Sequence, residues 1–261
     1  MQWLHKKISQ SPDYILLGGI LLFCLLYRIY YFHFLYPGFI AYNSDSVTYF
    51  TSVDIGRGVV DLYRTPLYSY VLKFFEYLSK ENFIRNLIIF QQSVSLLSVI
   101  PFYFISRGII RNKYLMLAET LFYGCWHPIL DQNINMNPEC LCIAGSTLIL
   151  FLFVRYIQQP AKSTAMAIGI LSFLLVMLKP TYLIMLFVVA VFWMFRFMVF
   201  REERPVLYWA LLGWLIAVGG VLGYCGMNYK HNGEFVLSNI YLNNSLVHIS
   251  MSGAYKQGGD Q

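Results

Sequence analysis

Apolar residues in this chain come in long blocks, not in a period that would mark one buried face. Seven blocks stand out, at about 13–35, 84–106, 114–130, 138–157, 163–178, 180–198 and 207–227. Several reach the ~20 residues that cross ~30 Å of hydrocarbon. "SPDY" opens the first block, and Pro138 opens the fourth at a helix position where its missing N–H costs nothing. "LKPTY" at 178–182 is too short for a loop and predicts a tight turn, with Pro180 starting the sixth block. The polar interruptions are short except for one, about 36–83, which is well beyond ordinary connections. Inside it, "SDSVTYFTSVDIGRG" suits a helix start with Ser44 or Asp45 near the N-cap. "RTPLYSYVLKFFEYLSK" predicts an amphipathic helix from Pro66, with Leu67, Tyr70, Val71, Phe74, Phe75 and Leu78 on one apolar face. At that length it suits the membrane interface better than a span.

Composition settles the class. Of 261 residues, 58% are hydrophobic and 12% charged, with mean hydropathy +0.55; soluble chains carry about 25% charged residues. The expected fold is an all-α polytopic membrane protein of about seven transmembrane helices, a single domain over 1–261. "HKK" near the N-terminus precedes a long apolar run without a small-residue cleavage site, so no cleavable signal is expected.

Charge gives orientation. Lys6, Lys7, Arg107, Arg111, Lys113, Arg155, Lys162, Arg196, Arg201 and Arg204 all fall in alternate short segments. The positive-inside rule makes those cytoplasmic, the N-terminus included. Nine of the thirteen acids then fall outside or at the outer edge, Asp45, Asp131 and Glu139 among them. The net charge of +6 is scattered over these segments, which serves topology and speaks against nucleic acid. The five cysteines lie in apolar stretches and read as buried thiols.

Asp45…Tyr49…Gly56…Arg64-Thr65-Pro66-Leu67-Tyr68 in a long first outer loop resembles the GT-C-fold glycosyltransferases. The nearest branch is that of protein O-mannosyltransferases and lipid A aminoarabinose transferases. "NMNPECLCIAGSTLILFLFVRY" resembles that branch's outer-edge acid before an apolar span. "LKPTYLIML" resembles its basic-Pro turn, and "MNYKHNGEFVLSN" its Asn-Tyr…Gly-x-Phe…Leu-Ser stretch. Two positions depart from the pattern: Ser46 stands where many relatives have a second acid, and Lys179 where Arg is common. The match covers the N-terminal part of a usual member, so the chain is expected to be a fragment or a shortened relative.

The resemblance implies transfer of a sugar from a polyprenyl-phosphate carrier to a lipid, glycan or protein acceptor at the outer face, most simply that of a bacterial inner membrane. Asp45 is the expected base, with an N-cap as its plain alternative. Arg64 and Lys179 are the expected phosphate ligands; an interfacial anchor and a snorkelling lysine are theirs. Tyr49, Tyr68 and Glu139 are the expected substrate contacts, and Tyr68 and Tyr70 cannot share a helix face. His127, Asp131 and Glu139 are a candidate divalent-metal group, the only cofactor the sequence suggests. Arg28 and Glu119 are the charges left inside spans. A lipid or sugar transporter and a non-catalytic assembly subunit are the rival readings.

Overall fold

The computed structural model describes residues 14–35, 44–54, 59–60 and 64–239. Lys6, Lys7 and Gly56, which entered the reading above, lie outside the described residues. The chain runs α1 (Tyr14–Tyr30), continued by a π turn at Tyr31–Leu35, then α2 (Ser44–Thr51). A two-residue antiparallel ladder follows, β1 (Val53–Asp54) on β2 (Val59–Val60). After it come α3 (Pro66–Leu78), α4 (Phe83–Leu97), α5 (Val99–Ile109), α6 (Lys113–Cys125) and α7 (His127–Ile134). The remainder is α8 (Glu139–Gln158), α9 (Lys162–Leu178), α10 (Leu183–Val199) and α11 (Arg204–Asn232).

Among the described residues, five helical stretches are long and apolar enough to cross a membrane: Tyr14–Phe34, Phe83–Ile109, Glu139–Gln158, Pro180–Val199 and Arg201–Asn232. The protein is thus a helical membrane protein by length and composition. Two of the seven expected spans take a different form. Residues 163–178 are helical, but α9 has 17 residues and is short for a span. The block at 114–130 is two helices, with Trp126 extended between them at φ −68°, ψ 117°. Pro128 is the cause: it offers no N–H to the Gly124 carbonyl four residues back, and its ring would collide with that carbonyl. The freed carbonyl is taken by Nη2 of Arg28, at 3.1 Å.

Local signals set the other boundaries. Pro101 similarly denies an N–H to Leu97, where α4 gives way to α5 through Ser98. Asn112 caps α6, its Oδ1 accepting from the N–H groups of Tyr114 and Leu115 at 2.9 and 3.3 Å. α11 stops at Gly233, whose φ of +77° is the left-handed closure glycine supplies cheaply. Asn228 then ties the tail back, donating from Nδ2 to the Val236 carbonyl at 2.7 Å.

α9 is the hub. It packs on α8, α10 and α11, and the loop helix α3 also leans on it. Its approach to α11 is backbone to backbone: a Cβ on Gly169 would sit 2.5 Å from the Gly213 carbonyl oxygen. Small residues that admit such contact are the usual means of packing helices in lipid.

The connections sort to two ends. At one, Arg107 and Arg155 line a common groove, and Arg196 pairs with Glu203, which also accepts from the Tyr156 hydroxyl at 3.3 Å. At the other lie α2, α3, α7, the start of α8 and the Lys179–Pro180 turn, here called the loop end.

Candidate functional site at the loop end

Two groups of the expected residues assemble at the loop end. The first is built on α2 and α3. Thr65 precedes α3 in extended conformation and Pro66 opens the helix, its fixed φ already helical. That start puts Arg64 against α2. Its Nε donates to Thr48 Oγ1 at 3.0 Å, and its guanidinium lies over the Tyr49 ring at 4.6 Å from the centroid. Tyr49 meets Tyr68 edge to face, with centroids 5.3 Å apart and planes at 82°. Such contacts favour the ring quadrupoles. Arg64 is only 4% exposed, and both tyrosines are 1% or less. The rings of these two expected substrate contacts are thus covered by each other and by Arg64. Tyr70, expected on the apolar face of α3, is instead exposed, while Tyr68 is buried.

Tyr68 carries the group into the bundle. Its hydroxyl donates to Gln91 Oε1 at 2.7 Å, and Gln91 Nε2 donates to the carbonyls of Asn133 and Asn135 at 3.0 and 2.9 Å. Burial pushes the Tyr68 phenol well above its ordinary range, keeping it a neutral donor. Gln91 is fully buried and joins α3, α4 and the end of α7, while Cys140 Sγ donates to its carbonyl at 3.1 Å.

The second group is the start of α8 and the turn before α10. Lys179 Nζ and Glu139 Oε1 are 2.7 Å apart. The other oxygen, Oε2, is buried and has no hydrogen-bond partner among the described residues. Burial works against the Lys179 ammonium, but the hydrogen bond and charge of Glu139 outweigh it, so its pKa lies above the ordinary lysine value. The pair opens into a groove of about 520 Å³, with Ile143, Tyr182, Ile184 and Met185 as greasy walls and Gln132 and Thr181 as polar partners.

Asp45 takes its place in the first turn of α2; its side chain lies outside the described parts. The next residue locates that turn. Ser46 Oγ donates to Asn137 Oδ1 at 3.3 Å, two residues before Glu139. The N-terminus of α2 therefore rests on the corner that begins α8, where Glu139 of the Glu139–Lys179 pair stands.

The candidate metal group does not assemble. His127 and Asp131 face α1, where the Tyr27 hydroxyl and His127 Nε2 lie 2.6 Å apart and the Tyr31 hydroxyl donates to Asp131 Oδ1 at 2.5 Å. Two i, i+4 pairs thus meet across the interface, while Glu139 is engaged with Lys179. Among the described residues no three metal-ligating side chains converge. Glu119 accepts from Ser106 Oγ at 2.8 Å, clasping α5 to α6.

Sequence reasoning missed Thr48, Gln91 and Asn137. Gln91 did leave a signal: "QQSVSLLS" at 91–98 is a polar streak in an otherwise apolar block, and such streaks mark internal hydrogen bonding. No family model matches this chain, and no curated protein matches it in sequence.

Proposed function

We propose that this chain is a GT-C-like membrane glycosyltransferase with about seven spans and a cytoplasmic N-terminus. It would move a sugar from a polyprenyl-phosphate carrier to an acceptor at the outer face. The observation that carries the reading is the Glu139–Lys179 pair, opening into a greasy groove beside the loop that holds Asp45 and Arg64. The reaction needs those elements together. An acceptor hydroxyl attacks the anomeric carbon, the bond to the carrier phosphate breaks with its electron pair leaving on phosphate oxygen, and a carboxylate takes the hydroxyl proton. The products are the glycosylated acceptor and polyprenyl phosphate.

Asp45 is assigned as that base. Lys179 is assigned to the leaving phosphate, with Glu139 holding the ammonium in place until phosphate arrives. Arg64 adds positive charge from the loop, oriented by Thr48 and by the ring of Tyr49. Tyr49 and Tyr68 then act as positioning residues rather than sugar platforms, since their faces are covered. The walls of Ile143, Ile184 and Met185 suit a prenyl chain. A transporter is the second reading, and Arg28, a buried charge within a span, is the observation that favours it.

The test is transfer by the full chain in lipid nanodiscs, offered a panel of polyprenyl-phosphate hexoses and aminopentoses with membrane-extract acceptors. Asp45→Asn keeps the size and the capping capacity of Asp but cannot accept a proton. It should bind donor normally and transfer at least about a hundredfold more slowly. Normal transfer by Asp45→Asn removes Asp45 as the base. Failure of the wild-type chain to bind any donor on the panel removes the glycosyltransferase reading itself.

A further inference from the structure

On the flank of the bundle, away from the Glu139–Lys179 groove, α1 and α4 enclose a second groove of about 550 Å³. Arg28 lies at its floor and Arg85 and His33 also line it, while Leu25, Ile29 and Ile89 form apolar walls. No carboxylate is among its lining residues. The walls are exposed, at 41%, 55% and 54%, so the groove opens where the bundle would meet lipid.

Arg28 makes the groove more than a gap between helices. It is 3% exposed and stands roughly two turns from the loop end of its span. All its hydrogen-bond acceptors are neutral: Gln92 Oε1, Ser95 Oγ and the Gly124 carbonyl, each at 3.1 Å. Its Nε is buried without a partner among the described residues. A guanidinium removed from water is costly unless an opposite charge lies near, and none pairs with it among the described residues. Arg85, at the start of α4, and His33, in the π turn after α1, are both exposed at the same end. Three basic side chains thus face one apolar slot, with no acid among the described residues that line it.

We infer that this groove binds an anionic glycerophospholipid, with its phosphate at the mouth between Arg85 and His33 and an acyl chain along Leu25, Ile29 and Ile89. The Arg28 charge favours the site's anion from the floor, and the lipid headgroup supplies the counter-charge that the span lacks. The walls suit a chain already dissolved in the membrane, and the charge selects a net negative headgroup over a zwitterionic one. The inference goes beyond the proposed transfer reaction and does not depend on it: the groove contains neither Asp45 nor Lys179, and a lipid there is a resident partner, not a donor. Adjacent positions of α4 link the two regions, since Gln91 holds Tyr68 and Gln92 holds Arg28. An occupied flank would steady the helix that carries the loop cluster.

The experiment is native mass spectrometry of the full chain released from detergent, titrated with phosphatidylglycerol and separately with phosphatidylcholine of the same chains. Wild type should favour phosphatidylglycerol by roughly tenfold, as expected when charge-assisted contacts to a phosphate are added. Arg85→Gln with His33→Gln changes only exposed side chains. It should erase most of that preference while leaving phosphatidylcholine adducts and the helical circular dichroism spectrum unchanged. Equal binding of both lipids by wild type overturns the proposal, as does a double variant that keeps the preference. Inorganic phosphate or a short polyprenyl phosphate competing as well as phosphatidylglycerol also overturns it, assigning the groove to free phosphate or to the carrier. Should the double variant fail to fold, the wild-type comparison decides by itself.

Discussion

Gln91 shows how much one side chain can organise. Its amide accepts one hydrogen bond from α3 and donates two to the end of α7. A buried network of this kind is stabilising only while complete. Tyr68→Phe keeps the ring packed on Tyr49 but strips the donor from Gln91 Oε1. The cost expected of a buried acceptor left unmet is about 1–3 kcal/mol, seen as a lower melting temperature in detergent. Tyr70→Phe, on the exposed face of the same helix, should leave the melt unchanged. Equal melts for the two variants would mean that water or another donor reaches Gln91. The Glu139–Lys179 pair, half-buried, likewise joins distant parts of the chain. Each residue was a candidate from sequence, but no periodicity links positions 40 apart, so their pairing was invisible before folding. Arg28 and Gly124 are a similar case: nothing in the sequence says which side chain collects the carbonyl that Pro128 frees.

At the scale of helices, boundaries written by proline and by capping residues were legible. The start of α3 at Pro66, the start of α8 after Pro138 and the Lys179–Pro180 turn all sit where the pattern put them. The split at Trp126 was not, because α6 and α7 together are as apolar as a span and only backbone sterics divides them. Packing between helices was also hidden, since a glycine in an apolar run looks the same whether it touches a neighbour or faces lipid. Gly169 and Gly219 make the contrast testable. Each is helical, so Ala at either position gains helix propensity of about 1 kcal/mol. At Gly169 the new methyl would collide with the Gly213 backbone, whereas at Gly219 nothing lies within 4 Å. Gly169→Ala should therefore lower the melting temperature, the overpacking cost of about 1–3 kcal/mol exceeding the propensity gain. Gly219→Ala should hold or raise it. Parallel shifts in the two variants would show that α9 and α11 do not approach as closely as the Gly169–Gly213 contact requires.

For the whole molecule the question is which end faces out, since the proposed chemistry needs the loop end exposed to the outer surface. The fold sorts the connections into two sets, and charge is what argues their sidedness. The end opposite the loops gathers Arg107, Arg155, Arg196, Arg201 and Arg204. Moving that many cations across a bilayer is what the positive-inside rule disfavours. Single cysteines can be placed at exposed positions on each end, in a chain whose native cysteines are buried or half-buried. Glu81→Cys and Glu234→Cys report on the loop end, Ser163→Cys and Glu202→Cys on the other. Intact cells treated with a membrane-impermeant maleimide should label the first two variants, and the second two only after permeabilisation. The reverse pattern would turn the protein over. Asp45, Arg64 and the Glu139–Lys179 groove would then face the cytoplasm, where soluble nucleotide-sugar donors are available, and the case for a lipid-linked donor would lose its physical basis. Labelling of one member of each pair would instead break the alternation of helices, most economically by returning α9, the short one, to the same side.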